Sequence, residues 1–272
     1  MRDTLCAVLV WVALPFAAAQ QSGAALEPCV AGARPSFDVV SVKAIQGNSN
    51  SSTVHGTPDG MMLGGALRRM ILYAYNLHDF QLTGGPDWIA TSTWEVHAKN
   101  DTPDPDYLKL NEAERKALSE KRMQAVQSIL IDRFQFKCHM TTKEMPIYEL
   151  VPAKGGVKLR QTAAEESKRG STSINGHGQQ MHATSTGVTS ERIATMLGSE
   201  VDRLVVDKTG LTGSYDLTLD WVHDAPTEVT ADTASGPTLF TALEEQLGLK
   251  LQPAKGPVPV LVIDSAEKPG ED

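Results

Sequence analysis

Seven histidines, three cysteines and an excess of carboxylates are the groups through which this chain could do chemistry. A zinc site would need two histidines one helical turn apart around a glutamate, or closely spaced cysteine pairs, and neither pattern occurs. His177 and His182 lie in a Gly- and Gln-rich segment, where holding a metal would cost loop ordering, so both read as solvated loop residues. His97 and His139 fall on the polar phase of alternating stretches and read as surface residues. A serine nucleophile is expected in Gly-x-Ser-x-Gly at a strand-to-helix elbow, whereas Gly213-Ser214-Tyr215 has other neighbours and enters a strand. Asp216 and Asp220 share the polar phase of that strand, where solvation is the default. Asp207 is placed to organise a turn by accepting from the backbone of Lys208–Gly210. Gly84-Gly85 runs into Pro86, which lacks the donor a phosphate would want. No catalytic residue, metal site or cofactor is assigned. Trp88, Trp94, Tyr215 and Trp221 could line a ligand groove, with core packing as the competing reading.

The elements that must position these residues begin after a disposable start. Met1–Ala19 has an early Arg2, an apolar stretch from Leu5 to Phe16 and three alanines before Gln20, the plan of a signal peptide. An uncleaved anchor is the alternative. No later stretch reaches the ~20 apolar residues of a membrane span, so no stable insertion is expected once the signal is removed. The formal charge of −8 is spread along the chain without a basic face, which argues against nucleic acid as a partner. Cys29 and Cys138 survive processing, and outside the cytosol they are permitted to bridge; two unrelated thiols is the other reading.

Periodicity divides the rest into strands and helices. Residues 20–35 form a leader, 36–154 an N-terminal α+β half, 155–180 a linker or surface loop, 181–266 a C-terminal α+β half and 267–272 a tail. Phe37–Lys43, Trp94–Ala98 and Tyr215–Leu219 alternate as half-buried strands. Leu67–Leu77 has helical spacing, and Asn111 with Glu114 opens a longer helix through a capping box. Thr189 and Thr238 are helix caps, and Gly248 is a left-handed stop. Phe134–Val151 and Leu249–Ile263 each read as two strands around a Lys- and Pro-bearing turn, that is, as hairpins. The fold class is α+β, with antiparallel strands packed on helices. The order strand, helix, hairpin, helix, hairpin occurs twice, either by duplication or by chance resemblance of common units. The alternation puts Leu217, Leu219, Val260 and Leu261 or Val262 in the core, and Asp216, Thr218 and Asp220 outside it.

Six ordered stretches carry a resemblance: FDVVSVK, GGPDW, ILIDRFQFKCH with KEMPIYEL, VVDKTGLTGSYDLTLDW, LFTALEEQLGLKL and VPVLVIDSAEKP, spanning Phe37 to Pro269. Together they resemble a secreted, soil-associated bacterial family of unknown function, expanded in acidobacteria. Related domains occur attached to membrane peptidases of the β-lactam-sensor type. The resemblance implies an extracytoplasmic binding or sensing module, periplasmic or secreted, with an envelope protein or a small ligand as partner. It supplies no catalytic residues. A hydrolase with an unrecognised site and a structural envelope-assembly element are the rival classes.

Export makes a direct prediction. Intact-mass analysis of exported protein should find the amino terminus at or near Gln20, and retention of Met1 would turn the segment into an anchor.

Overall fold

The computed structural model describes residues 34–47, 52–163, 171–177, 179–223 and 236–270. The signal segment and Cys29 lie outside the described residues. Twelve strands are described: β1 (Val39–Ile45), β2 (Ser52–Thr57), β3 (Gly60–Ala66), β4 (Leu82–Gly84), β5 (Thr93–Lys99), β6 (Lys137–Pro152), β7 (Arg160–Gln161), β8 (Ser171–His177), β9 (Gln180–Val188), β10 (Val205–Asp207), β11 (Tyr215–Val222) and β12 (Leu249–Ser265). The α-helices are α1 (Leu67–Ala74), α2 (Trp88–Thr91), α3 (Glu112–Phe134), α4 (Ser190–Val201) and α5 (Leu239–Ala242), the last continued by a π-turn over Leu243–Leu247. They are joined by three four-stranded sheets, ordered β1-β5-β3-β2, β10-β6-β12-β4 and β7-β11-β9-β8.

The helix ends follow the sequence signals. Asn111 Oδ1 accepts from Glu114 N–H at 3.0 Å, while Glu114 accepts from Asn111 N–H at 2.8 Å, so two orphan donors of α3 are satisfied reciprocally. Thr189 and Thr238 accept from the Arg192 and Thr241 amides at 3.3 Å. Gly248 ends the π-turn with φ of +64°, and a β-carbon there would stand 1.9 Å from the Gly156 carbonyl oxygen.

The two expected hairpins are not hairpins. Phe134–Val151 and Leu249–Ile263 contribute the single long strands β6 and β12, which pair antiparallel with each other from Leu249↔Pro152 to Ser265↔Lys137. The prolines taken as turn residues are absorbed by the geometry of the ladder. The Pro259 carbonyl accepts from Gln81 Nε2, and Tyr148 N–H donates to the Leu204 carbonyl, so odd positions of β12 and even positions of β6 turn their backbone groups away from each other. Pro146, Pro152, Pro253, Pro257 and Pro259 all occupy such positions, where no bond of the β6–β12 ladder is lost. Their missing N–H groups also blunt the exposed ribbon edges against strand addition.

Each half repeats one plan. A strand, a hairpin (β2–β3 or β8–β9), a helix (α1 or α4), a short strand and a return strand (β5 or β11) make an outer sheet of the same order, before a helix and the long strand follow. The short strands cross over: β4 pairs parallel with β12, and β10 pairs parallel with β6. One core joins Leu67, Ile71, Trp94, Val96, Leu130 and Phe134 to Cys138, Leu261 and Ile263. The other joins Ile193, Leu197, Leu217, Leu219 and Leu243 to Leu150, Leu249 and Leu251. Leu217, Leu219, Val260 and Leu261 are buried as expected, Val262 is half-buried, and Thr218 and Asp220 are exposed. Asp216, expected outside, is half-buried.

Two stretches read as polar loops carry strands. Residues 47–60 contain β2, and residues 155–180 contain β7 and β8. Their Ser-, Asn- and Gly-rich composition lacks apolar alternation because β2 and β8 are edge strands. The Cys138 sulfur is in a disulfide; its pairing with Cys29 remains our proposal.

Leu150 and Ile263 lie in opposite cores on the same ribbon, so Leu150→Ala and Ile263→Ala should each cost about 2–5 kcal/mol. Both should unfold in one cooperative transition by denaturant-monitored fluorescence, since Trp94 reports on one core and Trp221 on the other. Separate transitions for the two tryptophans would contradict the shared-ribbon account.

Candidate functional site

The third sheet, β7-β11-β9-β8, carries two recesses. Alternation along β11 sends Tyr215, Leu217, Leu219 and Trp221 to the core and Asp216, Thr218 and Asp220 outward.

The first recess, of about 450 Å³, lies where the β8–β9 hairpin meets the end of β11. The register sets Asn175 opposite His182 and His182 opposite Asp220, so three polar side chains form one row across three strands. His182 Nδ1 and Asp220 Oδ1 are 2.6 Å apart. Trp221 and Met181 reach this recess from the core face of the sheet and the polar row from its outer face, so the two sets meet at the sheet's end, where Val222 and Pro237 add apolar lining and the Val222 amide ties to the Pro237 carbonyl at 2.9 Å. An apolar wall beside a few convergent polar groups is the usual composition of a small-molecule site. The carboxylate fixes the imidazole and leaves its second nitrogen able to bind a polar ligand group or to exchange a proton with it.

The second recess, of about 620 Å³, spans β11 from Thr184–Thr186 of β9 to the β7 stretch and Gln246, and is lined by Lys158, Arg160, Thr184, Asp216, Thr218 and Gln246 among others. Asp216 builds its inner end. One carboxylate oxygen accepts from the Thr162 hydroxyl at 2.6 Å and the Gly187 amide at 3.1 Å, and the other binds the Arg160 guanidinium. The Thr162 hydroxyl first, then the Gly187 amide and Arg160, outweigh burial and hold the Asp216 carboxyl below its ordinary value. At the end of β10, which pairs with β6 and not with β11, Asp207 accepts from the Thr209 amide at 2.9 Å and the Thr209 hydroxyl at 2.7 Å, as the sequence predicts for a turn-organising aspartate. Burial opposes ionisation of Asp207, but hydrogen bonds from Ser190 and Thr209 outweigh it and its carboxyl too is lowered.

The four aromatic residues named from the sequence are not brought to one groove. Trp94 is buried and packs edge-on to Phe134 at 5.4 Å, and Trp88 stacks edge-on to Trp94 at 6.2 Å. Tyr215 is buried in the other half, its hydroxyl donating to the Thr212 carbonyl at 2.9 Å. Trp221 is buried as well and lines the first recess. His182 departs from its reading as a loop residue: it stands in β9 opposite Asp220, a partnership visible only once the register is known. His177 ends β8. His97 and His139 lie on the polar phase as expected, but both are half-buried and not surface residues, paired with Glu95 at 2.5 Å and Asp264 at 2.8 Å. Among the described residues no group of three or more His, Cys, Asp or Glu is placed to hold a metal ion.

Residues 68–266, from α1 to the end of β12, match the family described as "Protein of unknown function (DUF3738)". The chain belongs to the DUF3738 family. Both recesses and both long strands lie inside the matched span, whereas β1, β2 and β3, which complete the first outer sheet of this DUF3738 protein, precede it. No curated protein and no solved structure matches the chain.

Asp216 gives a pH prediction. Its folded value lies below the unfolded one, so its contribution is complete above about pH 4 and is lost as pH falls through the folded value. The urea midpoint of Asp216→Asn should therefore fall below wild type at neutral pH, and the gap should close as pH drops below about 4. A gap unchanged down to pH 2 would remove the carboxylate from the account.

Proposed function

We propose that this DUF3738 protein is an exported, non-catalytic binding module that works in the periplasm or outside the cell and holds a small ligand or a partner's side group in the recess beside Trp221. The observation that carries the reading is the composition of that recess: Trp221, Met181 and Pro237 give apolar contact, and the Asn175–His182–Asp220 row gives directed hydrogen bonds. The export signal and the resemblance to domains that accompany membrane sensor peptidases support the extracytoplasmic setting. A hydrolase is the second reading, favoured by one feature, the His182–Asp220 pair, which has the form of a base with its orienting acid.

One experiment separates them. Ligands that raise the melting temperature of wild type should bind His182→Ala and Asp220→Ala at least about tenfold more weakly, because a hydrogen bond to a charged or polarised partner is worth about 1.5–3 kcal/mol. Both side chains are substantially exposed, at 47% and 63%, so the variants should keep their fold. His97→Ala, which removes the histidine of a pair in the other half, should bind like wild type. Turnover of an envelope substrate by wild type, abolished in His182→Ala, would establish the hydrolase instead. Ligands indifferent to all three substitutions would remove this recess as the site.

A further inference from the structure

We propose that the recess beside Thr218 docks one short extended peptide segment, which takes on β11 the place that β1 takes on β5. This goes beyond the reading above and concerns a different recess.

The two halves supply the comparison. β5 and β11 hold equivalent places in their sheets, and Trp94, Val96 and Ala98 face one core as Tyr215, Leu217 and Leu219 face the other. His97 therefore corresponds to Thr218. In the first half β1 pairs with β5 along its whole length, Val39↔Lys99 to Ile45↔Thr93, and Ser41 stands opposite His97. In the second half β7 pairs with β11 only at Tyr215↔Gln161 and Asp216↔Arg160.

The remaining edge of β11 is filled piecemeal. The Ser214 carbonyl accepts from the Thr162 amide at 2.8 Å, and the Val222 amide donates to the Pro237 carbonyl at 2.9 Å. The Gln246 carboxamide closes Asp220, its oxygen accepting from the Asp220 N–H at 2.9 Å and its nitrogen donating to the Asp220 carbonyl at 2.8 Å. These edge-facing residues alternate, so Thr218 presents its own N–H and C=O to the same side. Among the described residues nothing pairs with them, and the recess of about 620 Å³ reaches this edge, where Lys158, Arg160 and Gln246 line it. Thr218 is exposed, so water bonds these groups in the empty recess and is what a peptide would replace.

The chemistry selects the occupant. Thr218 offers a donor and an acceptor side by side, which a peptide unit complements with its own pair. An anion would satisfy the N–H but lie against the Thr218 carbonyl and the Asp216 carboxylate. Arg160 is already bound to Asp216, and Lys158 Nζ already donates to the Glu245 carbonyl at 2.5 Å, so neither cation is left over for an acidic ligand. Gln246 shows that an amide fits this edge, and a peptide running past Thr218 would displace it from Asp220. Gln246 is thus a placeholder for the peptide's next residue.

The test uses the full exported chain, ¹⁵N-labelled, and the capped peptide acetyl-Val-Ser-Val-amide, which copies Val40–Val42 of β1. Its fully N-methylated analogue, with no amide donors, is the control. The Thr218, Arg160 and Gln246 amides should shift saturably with the peptide and not with the analogue. Gln246→Ala should bind roughly tenfold more tightly, since the two hydrogen bonds that compete with the peptide at Asp220 are removed. Thr218→Pro should abolish binding, at an edge-facing position of the kind where β12 already carries Pro253, Pro257 and Pro259. A Thr218 amide protected from exchange in the peptide-free chain would mean that the edge is already paired, and would overturn the proposal. So would equal shifts with the analogue, unchanged affinity in Thr218→Pro, or weaker binding in Gln246→Ala. Shifts confined to His182 and Trp221 would overturn it as well, while leaving the other recess as a binding site.

Discussion

The antiparallel pairing of β6 with β12 is the interaction on which the rest of the structure depends. Neither long strand pairs within its own half: each finds its main ladder partner in the other, and each half's short strand, β4 or β10, docks on the other half's long strand. The cores sit at opposite ends of this ribbon, so a side chain such as Ile263 completes a core built mainly by the first half, and Leu150 completes the second. A third cluster, Ile147, Val258 and Val260 with Phe80 and Leu204 against it, fills the middle of the opposite face. His78 belongs to this junction: it stacks on Phe80 at 5.4 Å, meets Ser199 across the halves at 3.3 Å, and has its imidazole held below the ordinary value mainly by burial. Burial of apolar area supplies the energy, and the ladder dictates where it is buried.

The repeat of one topological plan around the ribbon makes the differences between the halves informative. The first outer sheet is closed on its β5 edge by a full strand, while the second is closed by two residues of β7, a glutamine carboxamide and a proline carbonyl. A two-residue strand cannot hold itself by its ladder alone, and Asp216 explains how β7 stays in place. Its carboxylate gathers Arg160 and Thr162 from the β7 stretch and Gly187 from β9, where the chain turns left-handed and the β9–β11 register shifts. Both recesses are consequences of this shortened edge and of the hairpin end beside it. The difference between the halves leaves polar space on one sheet that is filled by strand on the other.

Local signals in the sequence determined the local structure. The Asn111–Glu114 capping box, the threonine caps at 189 and 238, the left-handed Gly248 and the Asp207 turn each depend on residues within a few positions, and each is found where the pattern puts it. Strict alternation likewise fixed which face of β11 is buried, because period two is a property of the strand itself. The repeated order of elements was also legible, though not the way in which the copies interlock.

What only the tertiary structure decided is pairing. A proline read from sequence signals a turn, but whether it interrupts a strand depends on which edge its nitrogen faces, and that is set by a partner a hundred residues away. The same holds for the polar edge strands β2 and β8, which lack an apolar stripe because only one neighbour and little core lie against them. The aromatic residues that looked able to line a groove are divided between two cores, since a large ring gains most where it is most enclosed. His182 and Asp220 became neighbours through the β9–β11 register alone, and the vacant edge at Thr218 through the shortness of β7. Sequence carries the periodicity of each strand, whereas the identity of its neighbour is chosen by the packing of the whole chain.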